Sequence, residues 1–124
     1  MPTPASSVRD LDMWKLSHDF VQSVYKVTAQ FPIEERFGLA QQFRRAAVSI
    51  PANLSEGFRR RSAAEKARFS NIAEGSLEEC RYYCLLAKDL GFPYEPKWEE
   101  ELSVIDRMIS AYISRSRGRT SPTE

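Results

Sequence analysis

The sequence predicts an all-α fold: an antiparallel up-down-up-down four-helix bundle with a kinked second helix. Three observations predict the bundle. Apolar residues recur every three or four positions in four separate stretches, the signature of amphipathic helices. Proline or glycine signals stand between those stretches. No segment sustains the alternation that a half-buried strand requires. The chain has 124 residues, 42% of them hydrophobic, enough for one domain with a real core.

The domain is expected over residues 12–114, after a flexible N-terminus at 1–11. The first helix is expected over about 13–31, with Asp12 as N-cap. Trp14, Ser17, His18, Val21, Val24, Tyr25 and Thr28 share a face, which Leu16, Phe20, Val27 and Phe31 widen. That arc is too wide for one core and predicts a second contact surface, with another subunit. Pro32 ends the helix. The second helix, about 35–60, carries Leu39, Phe43, Ala46, Ala47, Ile50, Leu54, Gly57 and Phe58 on one side. The third, about 62–90, opens on a capping-box pattern, Ser62 with Glu65, and stops at Gly91. Its stripe runs Phe69, Ile72, Ala73, Ser76, Leu77, Cys80, Tyr83, Cys84, Ala87 and Leu90, with Tyr82 and Leu86 off it as a second surface. "FPYEPK" is a rigid turn into the fourth helix, about 96–114, whose stripe runs from Trp98 through Leu102, Ile105 and Ile109 to Ile113. The polar remainder, 115–124, reads as a disordered basic tail.

Pro51 lies inside the second helix. It has no N–H, so the helical bond to the Ala47 carbonyl cannot form. The apolar face nevertheless continues in register from Ile50 to Leu54 and Gly57, which predicts a bent helix rather than two pieces. Ser49, Ser55 and Asn53 are placed to satisfy freed backbone groups. Asn53, Glu56 and Gly57 flank the bend and are candidates for a contact with a neighbouring subunit.

A net charge of +1 hides a segregated pattern. Residues 1–39 hold four basic side chains against five acids; residues 40–70 hold seven against two, for +5. Residues 71–106 hold three against nine, for −6, and residues 107–124 hold four against one. Counted at ~100° per residue, Arg44, Arg45, Arg59 and Arg60 fall opposite the apolar face of the second helix. Arg61, Lys66 and Arg68 follow across the turn. Guanidinium groups stay charged and bind phosphate bidentately, so such a strip suits a nucleic-acid backbone. A merely solvated face, with Glu56 and Glu65 pairing some arginines, is the competing reading.

No catalytic constellation is assembled, and the expectation is a protein that is not an enzyme. There is no phosphate loop. The single histidine, His18, reads as a core or interface residue, since Asp19 beside it projects elsewhere. Cys80 and Cys84 sit one helical turn apart, a poor disulfide geometry, and read as small buried side chains. The acidic runs at 78–79 and 99–101 read as solvated faces; no glutamate has a histidine three residues on, so neither metal nor cofactor is expected. No apolar run approaches the ~20 residues of a membrane span. "MPTPASSVRD" does not resemble a signal peptide, so the expected location is cytoplasmic.

Four stretches carry a family resemblance: "WKLSHDFV" (14–21), "FGLAQQFRRAAVSIPANLSEGF" (37–58), "RFSNIAEGSLEE" (68–79) and "LAKDLG" (86–91). The chain resembles, over roughly residues 10–113, the bacterial four-helix-bundle proteins first noticed as products of intervening sequences in large-subunit ribosomal RNA genes. The accessory variability proteins of diversity-generating retroelements are relatives. The most distinctive part is the run from Ser49 to Asn53 followed by Glu56 and Gly57. The resemblance implies assembly as a ring-like homo-oligomer, a homopentamer packed around a central axis. In the retroelement branch it implies a basic surface that binds nucleic acid and a reverse transcriptase. This chain departs from that branch in being nearly neutral with an acidic third segment. The expected function is therefore binding of RNA or an RNA–DNA hybrid through Arg44, Arg45, Arg59, Arg60, Arg61, Lys66 and Arg68, with a nucleic-acid-processing protein as a further partner. The alternative is an oligomeric protein-interaction scaffold without nucleic acid.

Overall fold

In the computed structural model, which describes residues 6–120 and side chains as far as Arg115, four α-helices and two short 3-10 turns account for the regular structure. The helices are α1 (Asp12–Thr28), α2 (Leu39–Phe58), α3 (Ala63–Asp89) and α4 (Trp98–Thr120). Among the described residues there is no strand, and no helix is long and apolar enough to cross a membrane.

Local chemistry explains the boundaries. Before α1, Ser7 and Asp10 form a capping box around a 3-10 turn at Val8–Asp10, so part of the expected flexible N-terminus is structured. Asp12 is the first residue of α1 rather than its N-cap, a place taken by Leu11. The second helix starts later than expected. Residues Ile33–Glu35 close a 3-10 turn after Pro32, and the Glu35 carboxylate then accepts from the Leu39 N–H at 3.0 Å, meeting one of the orphan donors of α2. Ser62 accepts from the Glu65 N–H at 3.1 Å and starts α3. Gly91, at φ 73°, ends α3 in the left-handed conformation that favours glycine; its N–H reaches Lys88 and that of Phe92 reaches Ala87, a Schellman stop. The fourth helix extends to Thr120, beyond Ser114, so residues 115–120 continue it; 121–124 of the expected tail and 1–5 of the expected N-terminus lie outside the described residues.

Each helix packs on its two neighbours in a closed cycle, α1 on α2, α2 on α3, α3 on α4 and α4 on α1, with α2–α3 the most extensive contact. Ascending α2, Gln42, Ser49 and Gly57 meet Tyr83, Ser76 and Phe69 of α3 in descending order. Ascending α1, Trp14 and Thr28 meet Ser55 and Arg44 of α2, again in descending order. The centre is aromatic: Trp98 is fully buried, edge-on to Phe43 at 5.1 Å and Phe20 at 6.2 Å, and its indole N–H donates to Ser23 at 2.9 Å. Ile50, Leu77, Leu102, Ile105 and Ile109 are fully buried as well and carry the core along the helices.

The buried face of α1 is rotated from the expected one. Met13, Ser17, Phe20, Val24 and Thr28 are buried, whereas Tyr25 is 45% exposed and His18 is exposed, stacked on Trp14 at 5.0 Å. A serine and a threonine can take core positions because each hydroxyl donates to a carbonyl one turn back, Ser17 to Met13 and Thr28 to Val24. On α3, Ile72 lies one step off the row through Ala73, Leu77 and Cys80 and is exposed, contrary to its place in the expected stripe. The cysteines are buried free thiols, and burial is the first cause holding both well above the ordinary thiol range, Cys84 at about 12.

Candidate nucleic-acid interface

The helix geometry divides the seven basic residues into two groups. Arg44 turns towards α1: its Nε donates to Thr28 Oγ1 at 2.8 Å, its Nη2 to the Tyr25 carbonyl at 3.2 Å, and its guanidinium lies over the Tyr25 ring. It therefore occupies the C-terminal end of α1, where helix carbonyls and the macrodipole favour a cation. Lys66 does the same for α2, donating from Nζ to the Phe58 carbonyl at 2.8 Å; desolvation lowers its pKa. Arg60 pairs with Glu56 and lies over Phe69 at 4.9 Å.

The other four are differently placed. Arg45, Arg59, Arg61 and Arg68 are exposed, and none forms an ion pair among the described residues; Arg68 rests against Phe69 at 5.6 Å. Arg59, Arg61 and Arg68 crowd the corner where α2 gives way to α3, and Arg45 stands ~21 Å back along α2. The expected single strip is thus a basic corner with one outlying arginine. Arg44 is not part of it, because a one-residue step turns it towards α1 while Arg45 faces the α2–α3 groove.

The residues around the proline each have a use within the chain. Pro51 is buried, and α2 continues through it as α-helix. Asn53 Nδ2 donates to the Ser49 carbonyl at 2.8 Å and the Ser49 hydroxyl at 2.9 Å. Ser55 donates to the Pro51 carbonyl and accepts from the Trp14 indole. These side chains thus bond the Ser49 and Pro51 carbonyls, not the Ala47 carbonyl that proline deprives of its donor. Gly57 is buried against α3: a Cβ there would come within 2.9 Å of Phe69 Cβ, so only glycine lets the two helices approach so closely. Glu56 is exposed and neutralises Arg60.

One polar feature escaped the sequence reading. Gln42, Arg45, Ser49, Ser76, Glu79 and Tyr83 line a cavity of about 380 Å³ in the α2–α3 groove. The Ser76 hydroxyl donates to Ser49 at 2.8 Å, and the Tyr83 hydroxyl lies 3.3 Å from Glu79 and 3.4 Å from Gln42. Burial, then the Glu79 charge, raises the Tyr83 pKa, so the phenol remains a donor. The signal was the polar spacing of Ser76, Glu79 and Tyr83 beside Gln42, Arg45 and Ser49, which only the helix pairing brings face to face. Among the described residues no group of histidine, cysteine, aspartate or glutamate is arranged to hold a metal ion.

A comparison with curated proteins gave no match. The family model described as 23S rRNA-intervening sequence protein matches residues 9–113, which takes in all of α1, α2 and α3, most of α4, and the whole basic corner. By that match over most of its length, the chain belongs to the 23S rRNA-intervening sequence protein family.

Proposed function

We propose that this chain is a non-enzymatic, cytoplasmic nucleic-acid-binding protein, a homopentameric ring of antiparallel up-down-up-down bundles that takes RNA or an RNA–DNA hybrid at its basic corner. The observation that carries this reading is the exposure of Arg45, Arg59, Arg61 and Arg68 without carboxylate partners among the described residues, while Arg44, Arg60 and Lys66 are committed within the chain. Positioned arginines with free forks are what phosphate oxygens engage bidentately. The family's description names 23S rRNA, which supports an RNA ligand. The descending order of contacts between neighbouring helices supports the antiparallel arrangement, and the donor missing at Pro51 supports a bend in α2.

The exposed side chains Tyr82 (57%), Leu85 (49%) and Tyr25 (45%) support a subunit contact between the outer faces of α3 and α1. Two different faces make a heterologous contact, the kind that closes a ring. A ring repeats the basic corner in every subunit and so raises avidity for a long polyanion. A nucleic-acid-processing protein is the expected further partner.

Light scattering tests the ring, with a mass of five 14.2 kDa chains expected and a monomer overturning it. Fluorescence anisotropy with a labelled RNA, read across a salt series, tests the ligand. Four phosphate contacts on a single strand give a slope of log affinity against log salt of about −3 per engaged subunit. Binding indifferent to salt would remove the backbone from the account. The second reading, a protein-interaction scaffold, is favoured by Ile33 (71% exposed) and Phe37 (79%) at the opposite end of the bundle, where Glu34 also lies. Partners that survive nuclease treatment of a lysate would favour the scaffold; their loss would favour nucleic acid.

A further inference from the structure

We infer that the α2–α3 groove at Arg45, Glu79 and Tyr83 is a pocket for an unpaired guanine base. The inference rests on the RNA-binding reading and gives it a base preference. A guanidinium and a carboxylate line the same cavity of about 380 Å³, yet form no ion pair with one another among the described residues. Among the described residues Arg45 is exposed and forms no ion pair, and Glu79 accepts from the Tyr83 hydroxyl at 3.3 Å, which orients the carboxylate. The Ser76 and Ser49 hydroxyls and the Gln42 amide add polar surface to the same cavity.

A ligand for such a site must offer acceptors to the arginine and donors to the glutamate. Guanine does so on adjoining edges. Its N7 and O6 accept from a guanidinium fork, the commonest specific base contact of arginine. Its N1–H and N2 amino group are two neighbouring donors that one carboxylate takes together. Uracil and cytosine have no such pair, and adenine lacks the N1–H. A free base edge of this kind belongs to single-stranded RNA, where unstacked bases are read on their Watson–Crick edges beside aromatic side chains. The location fits: Glu79 lies ~16 Å along α3 from Arg68, so a strand whose phosphates hold the basic corner reaches the groove within a few nucleotides.

Guanosine 5′-monophosphate titrated into the ¹⁵N-labelled full chain should shift the amide signals of Arg45, Ser49, Ser76 and Glu79. Uridine 5′-monophosphate, which carries the same phosphate, should leave them in place at equal concentration. In anisotropy, a twelve-nucleotide oligouridylate with one central guanine should bind about tenfold more tightly than oligouridylate alone. E79Q should abolish that preference, because an amide puts a donor where guanine needs an acceptor, while leaving oligouridylate binding intact or stronger. Equal responses to the two nucleotides, or a preference that survives E79Q, would overturn the pocket. Salt-sensitive oligouridylate binding with no guanine preference would sink this inference and leave the RNA reading standing. Guanine-specific shifts with no oligouridylate binding would do the reverse.

Discussion

Lys66 illustrates how a residue counted as a phosphate contact from its charge can be a structural cap. Its ammonium donates to the Phe58 carbonyl at the end of α2 and lies over the Phe58 ring at 5.4 Å. Lys66→Met should therefore lower stability by about 1–2 kcal/mol, read as a fall in the urea midpoint, with little change in RNA affinity. Arg44→Ala should behave likewise. The thiols make a separate prediction. Burial holds Cys84 at about 12 and Cys80 above the ordinary thiol range, so iodoacetamide at pH 8 should modify neither in the folded chain and both after denaturation. The pKa values are raised in the fold, so the contribution of the neutral thiols is complete below about pH 9 and is lost as pH climbs towards 12. An alkaline limb in thermal denaturation above pH 9 would show it.

At the scale of the element, two helical glycines separate propensity from packing. Gly57 stands where α2 and α3 touch, and a methyl there meets Phe69 Cβ at 2.9 Å. Gly57→Ala should cost about 1–3 kcal/mol despite the gain in helix propensity, because neither backbone can retreat without moving a helix. Gly75 lies on the exposed side of α3, and a methyl group added there would find nothing within 4 Å. Gly75→Ala should stabilise by about 0.5–1 kcal/mol. Opposite shifts of the two urea midpoints are the expected result; a raised midpoint for Gly57→Ala would show that the α2–α3 approach does not depend on residue 57. Light scattering on Gly75→Ala would also report whether that face carries a subunit contact.

For the molecule as a whole, charge is arranged by end. The α2–α3 corner gathers Arg59, Arg60, Arg61 and Arg68, whereas Glu99, Glu100 and Glu101 open α4 at the other end of the bundle. The triple change of Arg59, Arg60 and Arg61 to alanine removes one exposed ion pair and the Arg60 contact with the Phe69 ring, and touches no fully buried side chain. It should leave the melting temperature within a few degrees and flatten the salt dependence of RNA binding by about one to two in slope. A collapse of the melting temperature would make the corner structural. Leu77→Asp, by contrast, places a charge at a fully buried position and should leave no cooperative unfolding transition in circular dichroism.

Most of the helical pattern was legible because it is local. Period, caps and stops announced four helices, and Ser62, Gly91 and the continuous phase across Pro51 did in the molecule what their chemistry required. The late start of α2 was not legible, since a 3-10 turn and a helical turn use the same residue types and the Glu35 side chain decided between them. Nor was the division of the basic residues. Whether a basic side chain is free depends on which carbonyls and rings another helix brings within reach: Thr28 and Tyr25 for Arg44, Phe58 for Lys66 and, among the described residues, nothing of the kind for Arg59. Sequence by itself determined the helices and the family, because periodicity and motif are properties of neighbours along the chain. Tertiary structure alone decided which charges face solvent and which polar groups share the α2–α3 groove, because those depend on residues that different helices bring together, as Arg44 with Thr28 and Ser49 with Ser76.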